Sequence, residues 1–522
     1  MSGRTAPGPR AAAAAVMAVM VLGLSACTIN PVTGQRQLAL VTAADEVAIG
    51  TEQYEPSQQM QGGEYLRDPA LARYVEGVGM RLGAASDRAL PYEFVVIDSS
   101  VPNAWALPGG KIAINRGLLV ELESEAELAA VLGHEVVHAA ARHGAIAMQR
   151  GLLLQAAVTV AAVAARDKDY SEVAVGAASL GASLIHMRHG REAELEADSY
   201  GMQYMARAGY DPRAAISLQE TFVRLSEERD QGGWFAGLFA SHPPSAERVA
   251  ANRATAATLP ATGTLGRETY MAATANLRRD APAYEALDAA REALAGGDLP
   301  AARREAGTAL DGLSGDASVE TLFGDIEMAD GEPSRALPRY TRAVGLNGQF
   351  FYHHLRKGDA HRALDQLAEA RTAYEASVAL LPTADAYFGL GRIAERQGDI
   401  ARALENYARA AESSGQAGAD ARAATVRLDL PANPGRYLSL ASGLDANGRL
   451  LVEVQNPTSL EVGGIELAIS YVEGGQARLV RRALEGTLAP GSSRRYATGL
   501  GPFAEATAYE VELATARVVT PR

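Results

Sequence analysis

From Tyr284 onward the chain repeats itself with a period that few folds satisfy. Ala302, Ala336, Ala370 and Ala403 are separated by 34, 34 and 33 residues. Ala306, Tyr340, Tyr374 and Tyr407 keep the same register four positions later, as do Ala309, Ala343, Ser377 and Ala410. A period of about 34 residues accommodates two helices and their turn, and small residues in fixed columns mark where the paired helices touch. One such unit cannot bury its apolar face alone, so neighbours must stack. Generic alanine-rich helices would not keep three columns in phase across four units. Four helical hairpins are therefore expected over residues 281–417, an all-α array that resembles the tetratricopeptide repeat.

The rest of the chain needs other folds. At 522 residues it is too long for one core, because single domains stop growing near about 250 residues. Composition is globular, with 48% hydrophobic and 21% charged residues. The net charge of −13 offers no basic surface to a phosphate backbone, which excludes nucleic acid as a partner. Ahead of the repeats lie an extended run, Tyr92 to Asp98 (YEFVVID), a second near Trp105 to Asn115, and a long helical stretch from about Glu123 to His143. These predict a mainly helical α+β domain over 27–280, with helices on a small sheet. The apolar run Leu152 to Ala165 is interrupted by Gln155 and falls short of the roughly 20 residues of a membrane span, so it reads as a buried or surface-lying helix. Ala254 to Gly266, aperiodic and rich in Ala, Thr, Pro and Gly, reads as a linker. Beyond Leu430, Ile465, Leu467, Ile469 and Tyr471 alternate with Glu466, Ala468 and Ser470, between turns at Asn456-Pro457 and Gly474-Gly475. That pattern predicts a small β-sandwich over 430–522.

The one cysteine, Cys27, ends an apolar segment, Ala11 to Ala26, that follows Arg4 and Arg10. Residues 1–26 read as a secretory signal peptide. Leu24-Ser25-Ala26-Cys27 resembles the bacterial lipobox, which makes Cys27 the lipidated mature N-terminus and the membrane a partner through that lipid. With a single cysteine no intrachain disulfide forms, so each domain must be held by its core or by a metal.

The chemistry is concentrated in His134-Glu135-Val136-Val137-His138. Two histidines four apart on a helix differ by about 40° and one turn of rise, so both imidazoles can close on a single Zn²⁺. Glu135, beside the first of them, can take a proton from the metal's water as general base without coordinating. With 9 histidines in the chain, chance supplies this pattern about 0.01 times. The surrounding EAELAAVLGHEVVHAAA, free of proline and rich in Ala, Leu and Val, belongs on a core helix. Two histidines on such a face are costly unless they share a metal or find other partners.

Catalytic zinc keeps three protein ligands and an open position, and no third histidine follows at the short spacing seen in metzincins. Arg191 to Gly201 offers Glu192, Glu194 and Glu196. Helical phase continues Glu196 into Ser199, Gln203 and Arg207, a polar face, but Glu194 into Asp198, Gly201 and Met205. Glu194 is the expected third ligand, Asp198 the acceptor for a ligand histidine's ring N–H, and Glu192 and Glu196 fit a solvated face.

With HEVVH and Glu194-Leu195-Glu196-Ala197-Asp198 in place, the chain resembles the zinc metallopeptidases of the CAAX prenyl protease and HtpX type, which carry HExxH on one helix and ExxxD on another. The resemblance extends to Asn103-Ala104-Trp105-Ala106-Leu107-Pro108-Gly109-Gly110, Asn115-Arg116-Gly117-Leu118 and Asn30-Pro31-Val32-Thr33-Gly34, over most of residues 27–250. The export signal and repeats narrow it to the Gram-negative branch that joins such a peptidase to tetratricopeptide repeats in outer-membrane β-barrel assembly. The lipobox and the C-terminal β-domain depart from that branch.

The resemblance also places Ser241-His242-Pro243-Pro244 and Arg248 near the metal. His242 is either a fourth, regulatory ligand that silences the enzyme or a cap for the helix starting near Ser245. Arg248 either steadies the oxyanion of the tetrahedral intermediate or pairs with a surface acid. The strand through Asn103, Trp105, Gly109 and Gly110 would let an extended substrate add as a further strand, with little sequence specificity. Together these features lead to a periplasmic, outer-membrane-anchored zinc endopeptidase with one Zn²⁺. Its substrates are unfolded or misassembled proteins, and its repeats dock clients or a partner protein. The alternative is a repeat-based scaffold or chaperone with a capped or structural metal site.

Overall fold

The computed structural model describes residues 27–151, 189–228, 241–505 and 508–519. Residues 1–26 and the Leu152 to Ala165 run lie outside the described residues, and no described helix is long and apolar enough to cross a membrane. The chain divides into two compact units, one ending at His353 and one starting at His354.

The first unit opens with a hairpin of β1 (Cys27–Ile29) and β2 (Arg36–Leu38), then helices α1 (Ala43–Met60) and α2 (Pro69–Ala85). A Thr42/Asp45 capping box starts α1, and the Asp68 carboxylate, accepting from Ala70 N and Leu71 N, starts α2. Strands β3 (Glu93–Ile97), β4 (Ala104–Leu107) and β5 (Lys111–Asn115) form a sheet of order β3-β5-β4, with β3 parallel and β4 antiparallel to β5. The second extended run is thus two strands, folded back at Gly109 and Gly110. Both glycines have positive φ (82° and 91°), and a Cβ on Gly109 would stand 2.7 Å from Val47 Cα, so the turn requires glycine.

Helices α3 (Arg116–Glu121), α4 (Glu125–Ala140), α5 (Arg191–Arg207), α6 (Ala214–Glu228) and α7 (Ala246–Thr258) follow. Every residue of α4 is buried, and it packs against α2, α5, α6 and β4. Ala254 to Gly266 is not a free linker. Its first residues finish α7, and the rest is pinned where Thr264 pairs with Tyr210 and the Leu265 carbonyl accepts from Ala126 N at 3.1 Å.

Next come α8 (Arg267–Ala273), α9 (Ala275–Ala295), α10 (Leu299–Gly312), α11 (Ala317–Ala329) and α12 (Pro333–Leu346). One continuous apolar core runs from Val32 to Ile326, so the hairpin α9/α10 and helix α11 share it with the α+β domain. Residue 280 lies inside α9. The Arg116 guanidinium sits 3.4 Å over the Tyr284 ring, and Arg67 donates to Asp280 at 2.9 Å.

Helix α13 (Phe351–Ala363) spans the division between units; α14 (Leu367–Leu380), α15 (Ala384–Arg396), α16 (Ile400–Ala411) and α17 (Gln416–Asp429) lie in the second. The column alanines 302, 336, 370 and 403 all fall on the second helix of a pair and are fully buried. The tyrosine column has an equally local cause. The buried rings of Tyr340, Tyr374 and Tyr407 lie on Gly324, Gly358 and Gly391 of the preceding helix, and their hydroxyls donate to Asp325 (2.7 Å), Asp359 (2.7 Å) and Glu395 (2.8 Å). A Cβ on Gly391 would stand 2.6 Å from the Tyr407 ring. Gly391→Ala should therefore destabilise the second unit by about 1–3 kcal/mol through overpacking, read by thermal or urea unfolding. An unchanged midpoint would contradict this packing.

The C-terminal domain is two antiparallel sheets. One holds β6 (Ser439–Leu444), β7 (Leu450–Gln455) and β11 (Ser493–Ala497). The other holds β8 (Val462–Glu473), β9 (Gln476–Ala483), β10 (Thr487–Leu488) and β12 (Tyr509–Val518). Val452, Val454, Ile465, Leu467 and Ile469 form the core between them, and Gly474 and Gly475, both with positive φ, make the β8–β9 turn. Fold class is as expected: a mainly helical α+β domain, a helical repeat array and a small β-sandwich.

Candidate metal centre

Helix α4 is held at three points. At its start the Ser124 hydroxyl accepts from Glu127 N at 3.2 Å, and the Glu125 carboxylate accepts from Tyr74 (2.8 Å), Tyr210 (2.7 Å) and Arg81 (2.6 Å). At its end Asn30 Nδ2 donates to the Ala141 carbonyl at 3.0 Å, while Asn30 Oδ1 accepts from Val32 N and Thr33 N. The segment Asn30-Pro31-Val32-Thr33-Gly34 is therefore a clamp on the helix terminus. In the middle, a Cβ on Gly201 of α5 would stand 3.1 Å from His134 N. The two backbones touch beside His134, which brings the carboxylates of α5 within reach of the histidines of α4.

On this frame His134, His138, Glu194 and His242 converge, all buried, with one donor atom from each within 4.8 Å of every other. His134 Nε2 lies 3.0 Å from His138 Nε2, 3.5 Å from Glu194 Oε2 and 3.3 Å from His242 Nδ1. Glu194 Oε1 lies 3.5 Å from His138 Nε2 and 3.1 Å from His242 Nδ1. Donors bound tetrahedrally at about 2.0–2.1 Å stand about 3.3–3.4 Å apart, so these spacings and this donor set fit one divalent cation. Imidazole lone pairs aimed at one another repel unless a cation lies among them.

The supporting residues make the same demand for positive charge. His134 Nδ1–H donates to Asp198 Oδ1 at 2.9 Å, which leaves Nε2 free to ligate. Arg248 grips Asp198 with Nε and Nη2, each at 2.7 Å, and its Nη1 meets the Pro243 carbonyl at 3.2 Å and Glu194 Oε2 at 3.1 Å. Its partners are buried acids, not a surface one. Burial opposes charge on His134, yet Asp198 and Glu194 raise its pKa to about 10. Burial, then the charge of His189, holds His138 well below its ordinary range. Burial would raise Glu194 and Asp198, but His242 and the ligand histidines lower the first, and Arg248 with His134 lowers the second.

Glu135 is 2% exposed and stays outside the quartet, its Oε1 3.6 Å from His242 Nε2. The cap of α7 is the Ser245 hydroxyl, accepting from Arg248 N at 3.2 Å, so His242 is free of that task. Asn103, Trp105, Gly109 and Gly110 are buried on or beside β4, one of the two outer strands of its sheet. Trp105 packs edge-on against Tyr54 in a small satellite core. Cys27 opens β1. Glu192 is exposed, but Glu196 is not simply solvated: its Oε2 lies 3.2 Å from His143 Nε2.

Sequence reasoning missed two histidines. His143 Nδ1 stands 2.9 Å from His138 Nδ1, and the His189 ring stacks on His138 at 4.0 Å between centroids. Neither belongs to a motif; the only signal was six histidines among the residues from 134 to 242 in a chain with 9. Beside His134 and Glu135, an apolar slot is lined by Val131, Met202, Met205, Leu218 and Phe222.

Comparison with known proteins agrees with this geometry. Residues 66–256 match peptidase family M48, and residues 321–384 and 355–421 match the tetratricopeptide repeat. A putative β-barrel assembly-enhancing protease of Vibrio cholerae is 31% identical over 196 residues, 36% of this chain and 40% of that protein. The β-barrel assembly-enhancing protease of Escherichia coli is 29% identical over 210 residues, 37% and 42% of the two chains. The mitochondrial metalloendopeptidase OMA1 of Schizosaccharomyces pombe is 31% identical over 225 residues, 42% and 63%. The match thus spans about two fifths of the assembly-enhancing proteases' own length. With HEVVH and Glu194 brought together as one donor set inside the matched residues, this chain carries a peptidase family M48 domain joined to tetratricopeptide repeats.

Proposed function

We propose that the chain is a zinc-dependent endopeptidase, exported and lipid-anchored through Cys27 to the outer membrane, that acts on unfolded or misassembled proteins. The observation that carries this is Glu135, a buried carboxylate beside a four-donor cluster and not part of it. A structural site has no use for such a base. When bound, the ion supplies Lewis-acid activation of a water and of the scissile carbonyl. Glu135 takes the water's proton and passes it to the leaving amine. Asp198, braced by Arg248, keeps the His134 proton on Nδ1. Main-chain pairing with β4, shaped by Asn103, Trp105, Gly109 and Gly110, aligns the substrate, and the apolar slot receives a side chain next to the scissile bond. The repeats dock clients or a partner protein. Relatives named for β-barrel assembly support a role in outer-membrane protein assembly.

Cleavage of reduced casein by the full chain should disappear on chelation and return with Zn²⁺. A zinc-loaded chain that cleaves no unfolded protein, yet binds one, would overturn the proteolytic reading in favour of the scaffold.

His242 adds a gate to this reading. Its Nδ1 fills a fourth position and its Nε2 faces Glu135, so the donor that completes the quartet also screens the base. His242→Ala should raise basal casein cleavage several-fold. Equal or lower activity in a folded variant that retains zinc would remove the gate.

A further inference from the structure

The two ligand histidines of α4 are braced by different chemistry. His134 has a charged partner, Asp198, itself held by Arg248. Among the described residues the far nitrogen of His138 meets no carboxylate. Its Nδ1 lies 2.9 Å from His143 Nδ1, and His143 Nε2 lies 3.2 Å from Glu196 Oε2.

Proton bookkeeping along this line has one consistent solution. To point a lone pair from Nε2 into the quartet, His138 must carry its proton on Nδ1. That proton is donated to His143 Nδ1, which accepts only when the His143 proton sits on Nε2. The Nε2–H is then donated to Glu196. Were the His138 proton on Nε2 instead, it would point at His134 Nε2, 3.0 Å away, and the ring could not ligate. His189, stacked at 4.0 Å and 27° to the His138 plane, restrains the ring from another side.

The backbone is bent to allow this contact. Residues five apart on an unbroken helix differ by about 140° in direction and do not meet. Here α4 ends at Ala140, and Arg142 adopts φ +67°, a conformation that costs an L-residue about 1–2 kcal/mol. Arg142 is held there by ion pairing with buried Glu46 and by donation to the Val41 carbonyl. The chain then resumes as helix over 143–151, with His143 turned back toward His138.

We propose that His143, oriented by Glu196, is a positioning residue that fixes the tautomer and ring plane of His138, and that the break at Arg142 serves to deliver it. This rests on the quartet holding a divalent metal. Zinc affinity of the full chain, measured by competition with a chromogenic chelator, tests it together with the melting midpoint of the metal-free protein. Loss of such a partner weakens metal binding by about 10–100-fold. His143→Ala should weaken zinc binding by that factor with the metal-free midpoint unchanged. His143→Gln, whose carbonyl can accept the same N–H, should recover to within a few-fold of wild type. Glu196→Ala, at a half-exposed position, should weaken binding less and alter the visible spectrum of the Co²⁺-loaded chain.

Zinc affinity of His143→Ala within twofold of wild type would overturn the inference. So would an equal loss in His143→Ala and His143→Gln accompanied by a lowered metal-free midpoint. If His143→Ala does not fold, Glu196→Ala decides, and unchanged zinc affinity and Co²⁺ spectrum reject the proposal. A wild-type chain that binds no zinc would instead reject the proposed function, which keeps the two failures distinct.

Discussion

Replacing Glu135 by Gln should all but abolish proteolysis while leaving both fold and metal in place. The carboxylate is 2% exposed, makes no part of the donor quartet, and sits on a helix buried along its whole length. Gln has the same shape and keeps a carbonyl oxygen, so neither packing nor donor geometry changes. What it cannot do is take a proton. Removing a positioned general base costs about 10²–10⁴-fold in rate. In a buried cleft no bulk water stands ready to replace it, so the upper end of that range is expected for kcat/KM on an unfolded protein or fluorogenic peptide. Zinc content and melting midpoint should match wild type. Residual activity within tenfold of wild type would mean that Glu135 is not the base.

The second large effect concerns where the α+β domain ends. A chain stopped at residue 280 should fail to fold, and one stopped at residue 346 should fold and melt cooperatively. The cut at 280 falls inside α9 and removes Tyr284, Leu287 and Ala290, all buried in the core shared with the α+β domain. It strips the aromatic cover from Arg116, whose guanidinium lies 3.4 Å from the Tyr284 ring, and from Tyr65, which meets Tyr284 edge-on at 6.5 Å. It also removes the Gly312 and Ser314 carbonyls that accept from Arg67. Each large apolar side chain returned to water costs about 1.5–3 kcal/mol, and a domain has only about 5–15 kcal/mol to lose. Three or four such exposures are enough. Circular dichroism and thermal unfolding of the two truncations decide the matter. A 280-residue chain melting within a few degrees of the 346-residue chain would show that the first hairpins merely adjoin the α+β domain.

These two results bear on different levels of the molecule. The first depends on a contact made within one turn of helix. The second depends on a core assembled from residues as far apart as Val32 and Ile326. The repeat period made the hairpins legible, but not that the first of them are part of the α+β domain's own core. Arg116 and Tyr284, 168 positions apart, give no sign of each other in the sequence. The same is true of Asn30 and Ala141: the motif around Asn30 is visible as a motif, but its work as a clamp on α4 appears only when the two ends meet.

Local geometry therefore accounts for what could be read directly. His134 and His138 share a face because helical periodicity puts i and i+4 together, and Glu194 was separable from Glu192 and Glu196 because the same periodicity carries it onto a buried face. The columns of Ala and Tyr were readable because each repeat makes the same contacts. His143 was not readable, since five residues along an unbroken helix point the wrong way. Only the turn at Arg142, held by Glu46 from 96 residues upstream, brings it to His138. The sequence alone determined the donor types, their helical spacing and the repeat architecture, because those follow from short-range backbone geometry. Tertiary structure alone decided which nitrogens and carboxylates hold one another in place, because charges in a buried site are stabilised by whichever partners the fold delivers, at any separation along the chain.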